Sequence, residues 1–357
     1  MRQRTDAAEP LVLARRVRSV GHLTLNRPRA LNALSYEMIG DLAAALEEWR
    51  RGGEVDVVVL DGAGERGLCA GGDIRQLSEQ VSAGRIHDAA RFFFDEYHLN
   101  AAIASSPVPV VALADGITMG GGIGLAGHAA LRVVTERSRL AMPETRIGFT
   151  PDVGGSWLLA HAPGRIGEYL ALTGASMDAA DALYAGFADR LVPHAHLDAL
   201  REALASRADP TGPAEIVLLF DETPGPSALA AARPWIDDAF AADTVPEIVE
   251  RLRARPEPEA SAAADELSAL SPTALAVTLA AVRRARTLPH LRAALEQEYR
   301  LVLWFAATQS DLIEGIRAQV IDKDRSPRWQ PATAADLPAS LLSDAFSFEP
   351  PFPLWAD

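Results

Sequence analysis

The stretch from Asp115 to Ser156 constrains this chain more than any other. It reads Asp115-Gly-Ile-Thr-Met-Gly-Gly-Gly-Ile-Gly124, then Ala141-Met-Pro-Glu144-Thr-Arg-Ile-Gly-Phe-Thr-Pro-Asp152-Val-Gly-Gly155. The apolar run Val108 to Ala114 reads as a buried strand that feeds a turn of three consecutive glycines. Glycine permits backbone conformations and close approaches that a side chain would block. A glycine turn that opens a helix also leaves N–H groups free to face an anion. Two carboxylates, Glu144 and Asp152, follow among apolar neighbours. Backbone donors beside a carboxylate form the layout expected of an oxyanion hole, suited to chemistry on an activated carbonyl.

Alternating strand and helix signals fill roughly the first two hundred residues. Val17 to Leu25 reads as a strand. Ser35 can cap a helix whose apolar positions Met38, Ile39, Leu42, Ala45, Leu46 and Trp49 recur at three- and four-residue spacing. Val55 to Leu60 is a β-rich run ended by Asp61-Gly-Ala-Gly, and Leu131 to Thr135 is a further strand. The pattern is α/β, with helices packed on a sheet. After about Ser206 the character changes. Pro210, Pro213, Pro224 and Pro226 mark a broken connector, and helices then dominate: Pro246–Arg255, one capped by Ser271 with Pro272 in its first turn, and Leu288–Thr308. The expected division is an α/β core over 1–205 and a mainly helical region and tail over 206–357.

Charge and cysteine content narrow the function. Lys plus Arg total 34 against 48 Asp plus Glu, a net charge of −14 that argues against general nucleic-acid binding. A local basic rim could still hold an anionic ligand. The lone cysteine, Cys69, excludes an intrachain disulfide and fits a reducing compartment. No window approaches the ~18 apolar residues of a membrane span, and the N-terminus Met1-Arg-Gln-Arg-Thr-Asp lacks an apolar signal core. A cytoplasmic location with no membrane or nucleic-acid partner is the expectation.

A second glycine turn, Leu68-Cys-Ala-Gly71-Gly72-Asp73-Ile74, follows the Val55–Leu60 strand. Alone it is an ordinary strand-to-helix turn. Beside Gly120-Gly121-Gly122 it gains another reading: two turns at the ends of neighbouring strands could each offer one N–H to the same carbonyl oxygen. Neither is a dinucleotide-binding fingerprint, since the Gly-x-Gly-x-x-Gly spacing after the first strand is missing. Glu144 and Asp152 likewise have a plain reading, as caps of a turn after Pro143 and of a helix near Val153. Set among Ile147, Phe149, Val153 and Trp157, they also have a functional one, because desolvation raises a carboxyl pKa toward the range useful for acid–base work. His128 and Cys69 read as packed residues, and Trp304-Phe305 as core or subunit contact. Arg283-Arg284-Ala-Arg286 reads as a solvated helix end or as a contact to a phosphate.

These turns and acids, with Leu25-Asn-Arg-Pro-Arg-Ala-Leu-Asn-Ala-Leu34, resemble the crotonase (enoyl-CoA hydratase/isomerase) superfamily along nearly the whole chain. Asp95-Glu96-Tyr-His-Leu-Asn100 and Ile321-Asp-Lys-Asp-Arg-Ser-Pro-Arg-Trp329 are similar to its thioester-hydrolase branch. The resemblance implies a spiral ββα α/β core with a C-terminal helical region. It implies that backbone N–H groups of Gly72 and Gly121 form the oxyanion hole, that Glu144 is the main catalytic carboxylate, and that Asp152 is the second acid. It places Glu96 and Gly121 against substrate, with Glu144 and Asp152. It also lays coenzyme A along Arg29, Ala30 and Leu31 and along Ala70, Gly71, Gly72, Asp73 and Ile74.

One departure separates the branches. Family members that hydrate double bonds carry a second glutamate four residues after the first glycine of the triple-glycine turn, where this chain has Gly124. Glycine cannot hold a water or deliver a proton. The implied activity is therefore hydrolysis of a short branched hydroxyacyl-CoA, 3-hydroxyisobutyryl-CoA of valine breakdown. Coenzyme A enters as part of the substrate, with no other cofactor and no metal. Hydration or isomerisation of another short acyl-CoA is the same-class alternative, and a non-catalytic acyl-CoA-binding protein is the different-class one. A homo-oligomer stays open.

Overall fold

In the central strands, both odd and even positions are apolar. In Val57–Gly62, Val57 and Val59 enter one buried cluster and Val58 and Leu60 another; in Val110–Ala114, Val111 and Leu113 part from Val110, Ala112 and Ala114 in the same way. A strand apolar on both faces must be covered on both. One face is closed by Leu197, Leu200 and Leu204 of the Leu197–Ser206 helix with Ile216 and Val217. The other is closed by the large core, which runs from Val12 to Leu354. The computed structural model describes residues 9–207 and 212–356.

Two sheets result. The larger has the order β1 (Val12–Val17), β2 (Val20–Leu25), β3 (Val57–Gly62), β5 (Val110–Ala114), β7 (Leu131–Val134), β9 (Arg190–Leu191). Its β1–β2 pair is antiparallel and every other pairing is parallel. The smaller, all parallel, consists of β4 (Gly67–Cys69), β6 (Ile117–Met119) and β8 (Arg139–Ala141). Each repeat thus spends one strand in the large sheet, turns sharply, adds a short strand to the small sheet, and leaves it as a helix or helical turn. The corner into β6 needs Gly116: at φ 75 its missing Cβ would lie 2.7 Å from the Arg66 carbonyl oxygen.

Helices α1 (Tyr36–Gly52), α2 (Ile74–Ser82), α3 (Ile86–Ala104), α4 (Gly121–Ala126) and α5 (Gly155–His161) follow in chain order. Ser35 caps α1 as expected, its hydroxyl accepting the Met38 N–H, and Ser271 caps Pro272–Ala285 through the Ala274 N–H. Helix Leu291–Thr308 packs on α3 and α5 and helix Pro272–Ala285 on α5, so the C-terminal helices lean on the elements that carry the glycine turns and acids.

Some boundaries differ from expectation. Val17–Leu25 is not one strand; the chain turns at Arg18 (φ 56), and β2 pairs back onto β1 from Val12–Leu25 to Val17–Val20. Exposed Arg15 and Arg16 hide β1 from an apolar search, as suits an edge strand. The three-residue strands β4, β6 and β8 are too short for periodicity to reveal. Of the connector prolines, Pro210 lies outside the described residues and Pro213 opens the helix Pro213–Leu218.

Candidate active site

The small sheet aims both glycine turns. The first turn follows β4 rather than β3, and the second follows β6 rather than β5; β4 and β6 are parallel neighbours, so their C-terminal ends lie side by side. The first turn is pinned to the residues before α1, with Leu34 N–H donating to Gly71 O at 2.8 Å and Asp73 N–H to Leu34 O at 2.8 Å. The second turn bends at Gly120, φ 49. A Cβ on Gly121 would lie 3.3 Å from Gly72 N and 2.8 Å from Glu96 Oε1, and one on Gly120 would lie 2.9 Å from Glu144 Oε1. The turns and acids are therefore packed to within one methyl group of each other. Among the described residues, neither the Gly72 nor the Gly121 N–H has a protein acceptor.

Glu144 opens the helical turn Glu144–Ile147 after Pro143, and Phe149 N–H closes it on Glu144 O at 3.1 Å. Gly148, φ 67, lets the segment bearing Asp311 and Trp329 press against that turn, a missing Cβ away. Trp329 in turn donates its indole N–H to Ala269 O at 2.8 Å. The C-terminal motif Ile321–Trp329 thus lies behind the Glu144 turn.

Glu96 reaches the site from α3, Asp152 precedes α5, and Glu298 comes from Leu291–Thr308; all are buried, as is Glu144. Among the described residues, Glu144 Oε2 has no hydrogen-bond partner. Asp152 Oδ2 accepts the Tyr97 hydroxyl at 2.8 Å. Burial pushes the Glu144 carboxyl well above its usual range, and Asp152, Glu298 and Glu96 push it further. Glu96 is driven up by burial and then by Asp152. Asp152 rises to about 7 through burial, against the pull of the Tyr97 hydrogen bond. Glu298 rises to about 8 through burial, against the N–H groups it accepts. Such a cluster holds protons near neutral pH and can pass them on.

These groups border a cavity of about 260 Å³. Ala70, Gly71, Gly72, Asp73 and Ile74 line it, as do Glu96, Gly121, Glu144 and Asp152; Phe92, Phe93 and Phe149 supply apolar wall. Arg29, Ala30 and Leu31 are not among its lining residues. They stand behind the first turn, Leu31 O accepting the Ala70 N–H at 3.0 Å. A larger groove of about 830 Å³ between α1 and α3 has no buried acid in its wall.

Tyr97, Glu298 and Asn100 escaped the sequence reading. Tyr97 and Asn100 sit inside the quoted motif around Glu96. Glu298 had a readable signal: it falls in the apolar three- and four-residue spacing Ala294, Glu298, Leu301, Phe305. Asp152 does not cap α5. Gly154 is the N-cap, and Glu298 Oε2 and Oε1 accept the Gly154 and Ser156 N–H groups at 2.6 and 2.8 Å. His128 is packed, its Nε2 2.8 Å from Val153 O, and Cys69 is buried with its thiol pushed up to about 12 by desolvation. Trp304 and Phe305 are core. Arg286 pairs with the buried Glu168 at 2.7 Å, and Arg283 donates to Phe240 O and Ala242 O; both are structural ties.

Position 124 is closed. A Cβ there would lie 2.7 Å from Val153 Cβ and 2.8 Å from Asn100 Nδ2. Neither a carboxylate nor the space for one exists at that point.

A family model described as enoyl-CoA hydratase/isomerase matches residues 20–346. A Danio rerio protein named 3-hydroxyisobutyryl-CoA hydrolase, mitochondrial, is 39% identical over 344 residues, covering 94% of this chain and 89% of its own. The Homo sapiens protein of that name is 37% identical over 354 residues, covering 97% and 90%. Among solved structures, a carnitinyl-CoA dehydratase from Mycobacterium thermoresistibile superposes with a TM-score of 0.91 at 44% identity, covering 97% and 98%. An enoyl-CoA hydratase from Rhodobacter sphaeroides superposes at 0.90 with 43% identity, covering 97% and 100%. The mitochondrial names overturn the expectation of a cytoplasmic location. That expectation tested only for an apolar secretory core, whereas a mitochondrial transit segment is amphipathic and Arg-rich. No described helix is long and apolar enough to cross a membrane.

Proposed function

The chain belongs to the enoyl-CoA hydratase/isomerase family, with its crotonase fold, and on that premise we propose that it hydrolyses 3-hydroxyisobutyryl-CoA to 3-hydroxyisobutyrate and coenzyme A. One observation carries the reading: Glu144 and Asp152 are buried together beside both glycine turns, while position 124 offers no second glutamate and no room for one. The relatives named for this hydrolysis match nearly the full chain.

The thioester oxygen would sit between the Gly72 and Gly121 N–H groups, which meet the charge that develops as the carbonyl carbon becomes tetrahedral. Glu144 either attacks that carbon, giving an anhydride that water then cleaves to release the acid and restore the carboxylate, or takes a proton from the water that attacks directly. Collapse breaks the C–S bond, and a proton from the acid cluster goes to the leaving sulfur. Asp152 orients the substrate hydroxyl or the water. The phenylalanine wall excludes bulk water, and the Ala70–Ile74 turn guides the pantetheine arm. Coenzyme A enters only as part of the substrate.

A second reading, addition or removal of water at a double bond, is favoured by the names of the two superposed structures. Gly124 speaks against it. The test pairs thiol release from 3-hydroxyisobutyryl-CoA with absorbance loss of crotonyl-CoA. Thiol release with slow hydration is expected; efficient hydration without release of coenzyme A would replace the hydrolase reading with the second.

A further inference from the structure

Asp152 stands where a helix-leading aspartate ordinarily folds its carboxylate back onto the N–H groups just ahead of it. Here it does not. The turn Asp152-Val153-Gly154 is held open in an unusual shape: Val153, a β-branched residue, lies at φ 53 and Gly154 at φ 78. A β-branched residue in the left-handed region persists only where its surroundings over-determine it. Two buried side chains do so. His128 Nε2 lies 2.8 Å from Val153 O. Glu298, with no exposed surface, takes the Gly154 and Ser156 N–H groups on its two oxygens. The Gly154 N–H, two residues ahead, is the donor a local aspartate would claim, and Glu298 holds the next free one at Ser156 as well. With them occupied, Asp152 turns to the Tyr97 hydroxyl and to the cavity.

We propose that Glu298 is a positioning residue for Asp152: by capping α5 in its place, it keeps the Asp152 carboxylate facing the cavity. The inference rests on the hydrolase reading for its kinetic test and on geometry alone for its structural one. Glu298 itself touches neither the cavity nor a substrate path. The titratable groups around it and Asp152 are His128 at the turn, Tyr97 and Glu96 on α3, and Glu144.

Glu298→Gln tests it. The amide keeps the size but has one acceptor oxygen for two N–H groups, so one donor is released to Asp152. Turnover should fall about ten- to a hundredfold, up to the low end of a full acid–base contribution, with KM changed less than about threefold. The limb of the pH–rate profile set by Asp152 should move to lower pH, because a new N–H bond favours the carboxylate. Glu168→Gln, which removes a buried carboxylate from Arg165 and Arg286, is the stability control; it should lower Tm without moving that limb. If Glu298→Gln does not fold, Glu298→Asp, one methylene shorter and able to span only one N–H, is read the same way. A wild-type pH profile with turnover within twofold would overturn the proposal, as would a loss that merely tracks Tm. If the wild-type protein releases no thiol, the hydrolase reading falls by itself. The proposal is then decided by the Glu298→Gln crystal structure: Asp152 turned onto Gly154 N supports it, and Asp152 still on Tyr97 refutes it.

Discussion

Tyr97 and Asp152, 55 positions apart, meet through one 2.8 Å hydrogen bond between buried side chains, the phenol donating to Oδ2. That bond holds the Asp152 carboxyl down while burial drives it up to about 7. Tyr97→Phe keeps the ring in its packing against Phe93 and Tyr299 and removes only the donor. The Asp152 limb of the pH–rate profile should move to higher pH, and turnover at pH 7 should fall about tenfold. Stability should drop by about 1–3 kcal/mol for a buried acceptor left unpaired. An unshifted profile would separate Tyr97 from the chemistry.

Glu144→Gln should lower thioester turnover by at least about a hundredfold, the low end for acid–base catalysis, with little change in substrate binding. Glu144 Oε2 has no partner to lose among the described residues and the group is surrounded by other acids, so Tm at pH 8 should hold or rise. Steady-state kinetics with a melting curve decide this; near-normal activity in the folded variant removes Glu144 from the mechanism.

Gly121→Val should lower turnover by roughly 10²–10³, the cost of one oxyanion donor. Its Cβ would press on Gly72 N at 3.3 Å and on Leu34 Cδ1 at 3.1 Å, displacing both turns together. Circular dichroism must show a folded protein. In a complex with a CoA thioester, the carbonyl oxygen should lie about 2.7–3.1 Å from the Gly72 and Gly121 nitrogens; an oxygen pointing elsewhere would leave the turns as ordinary turns.

Gly124→Ala should destabilise by about 1–3 kcal/mol, as overpacking does, because Val153 and Asn100 already fill the space. For the same reason Gly124→Glu should not create crotonyl-CoA hydration. A melting curve and the crotonyl-CoA absorbance assay check both halves, and brisk hydration by Gly124→Glu would show that the packing yields.

Stability should fall between about pH 6.5 and 8. Asp152 and Glu298 are raised to about 7 and 8, and Glu144 and Glu96 are raised as well. In that window the folded state binds more protons than the unfolded one, so unfolding becomes easier as pH rises. Below pH 6.5 the buried His128, lowered to about 4 by desolvation, acts the opposite way: its contribution is lost as pH falls. That one imidazole offsets only one of the four raised carboxyls, so Tm should already be declining from about pH 5 and go on declining through the window, less steeply in Asp152→Asn. A Tm that climbs from pH 6.5 to 8 would contradict the assignment of raised carboxyls.

Much of the site was legible because its parts are local. Glycine runs, Pro-Glu-Thr and Pro-Asp-Val-Gly-Gly are contiguous, and each element's identity follows from backbone freedom or apolar spacing within a few residues. Ser35 and Ser271 capped the expected helices for the same reason. The short strands β4, β6 and β8 were not legible, since three residues carry no period.

The sequence by itself determined the α/β alternation, the glycine turns, the candidacy of Glu144 and Asp152, and the absence of a carboxylate at 124. Only the tertiary structure decided that the turns end neighbouring strands of a second sheet, that Val153 and Asn100 close position 124, and that Tyr97 and Glu298 hold the Asp152 segment. The reason is physical. Propensity and periodicity act over a few residues, whereas a buried carboxylate takes its protonation and direction from whatever donors packing brings to it. Here those donors and acceptors come from α3 and from a helix more than a hundred residues away.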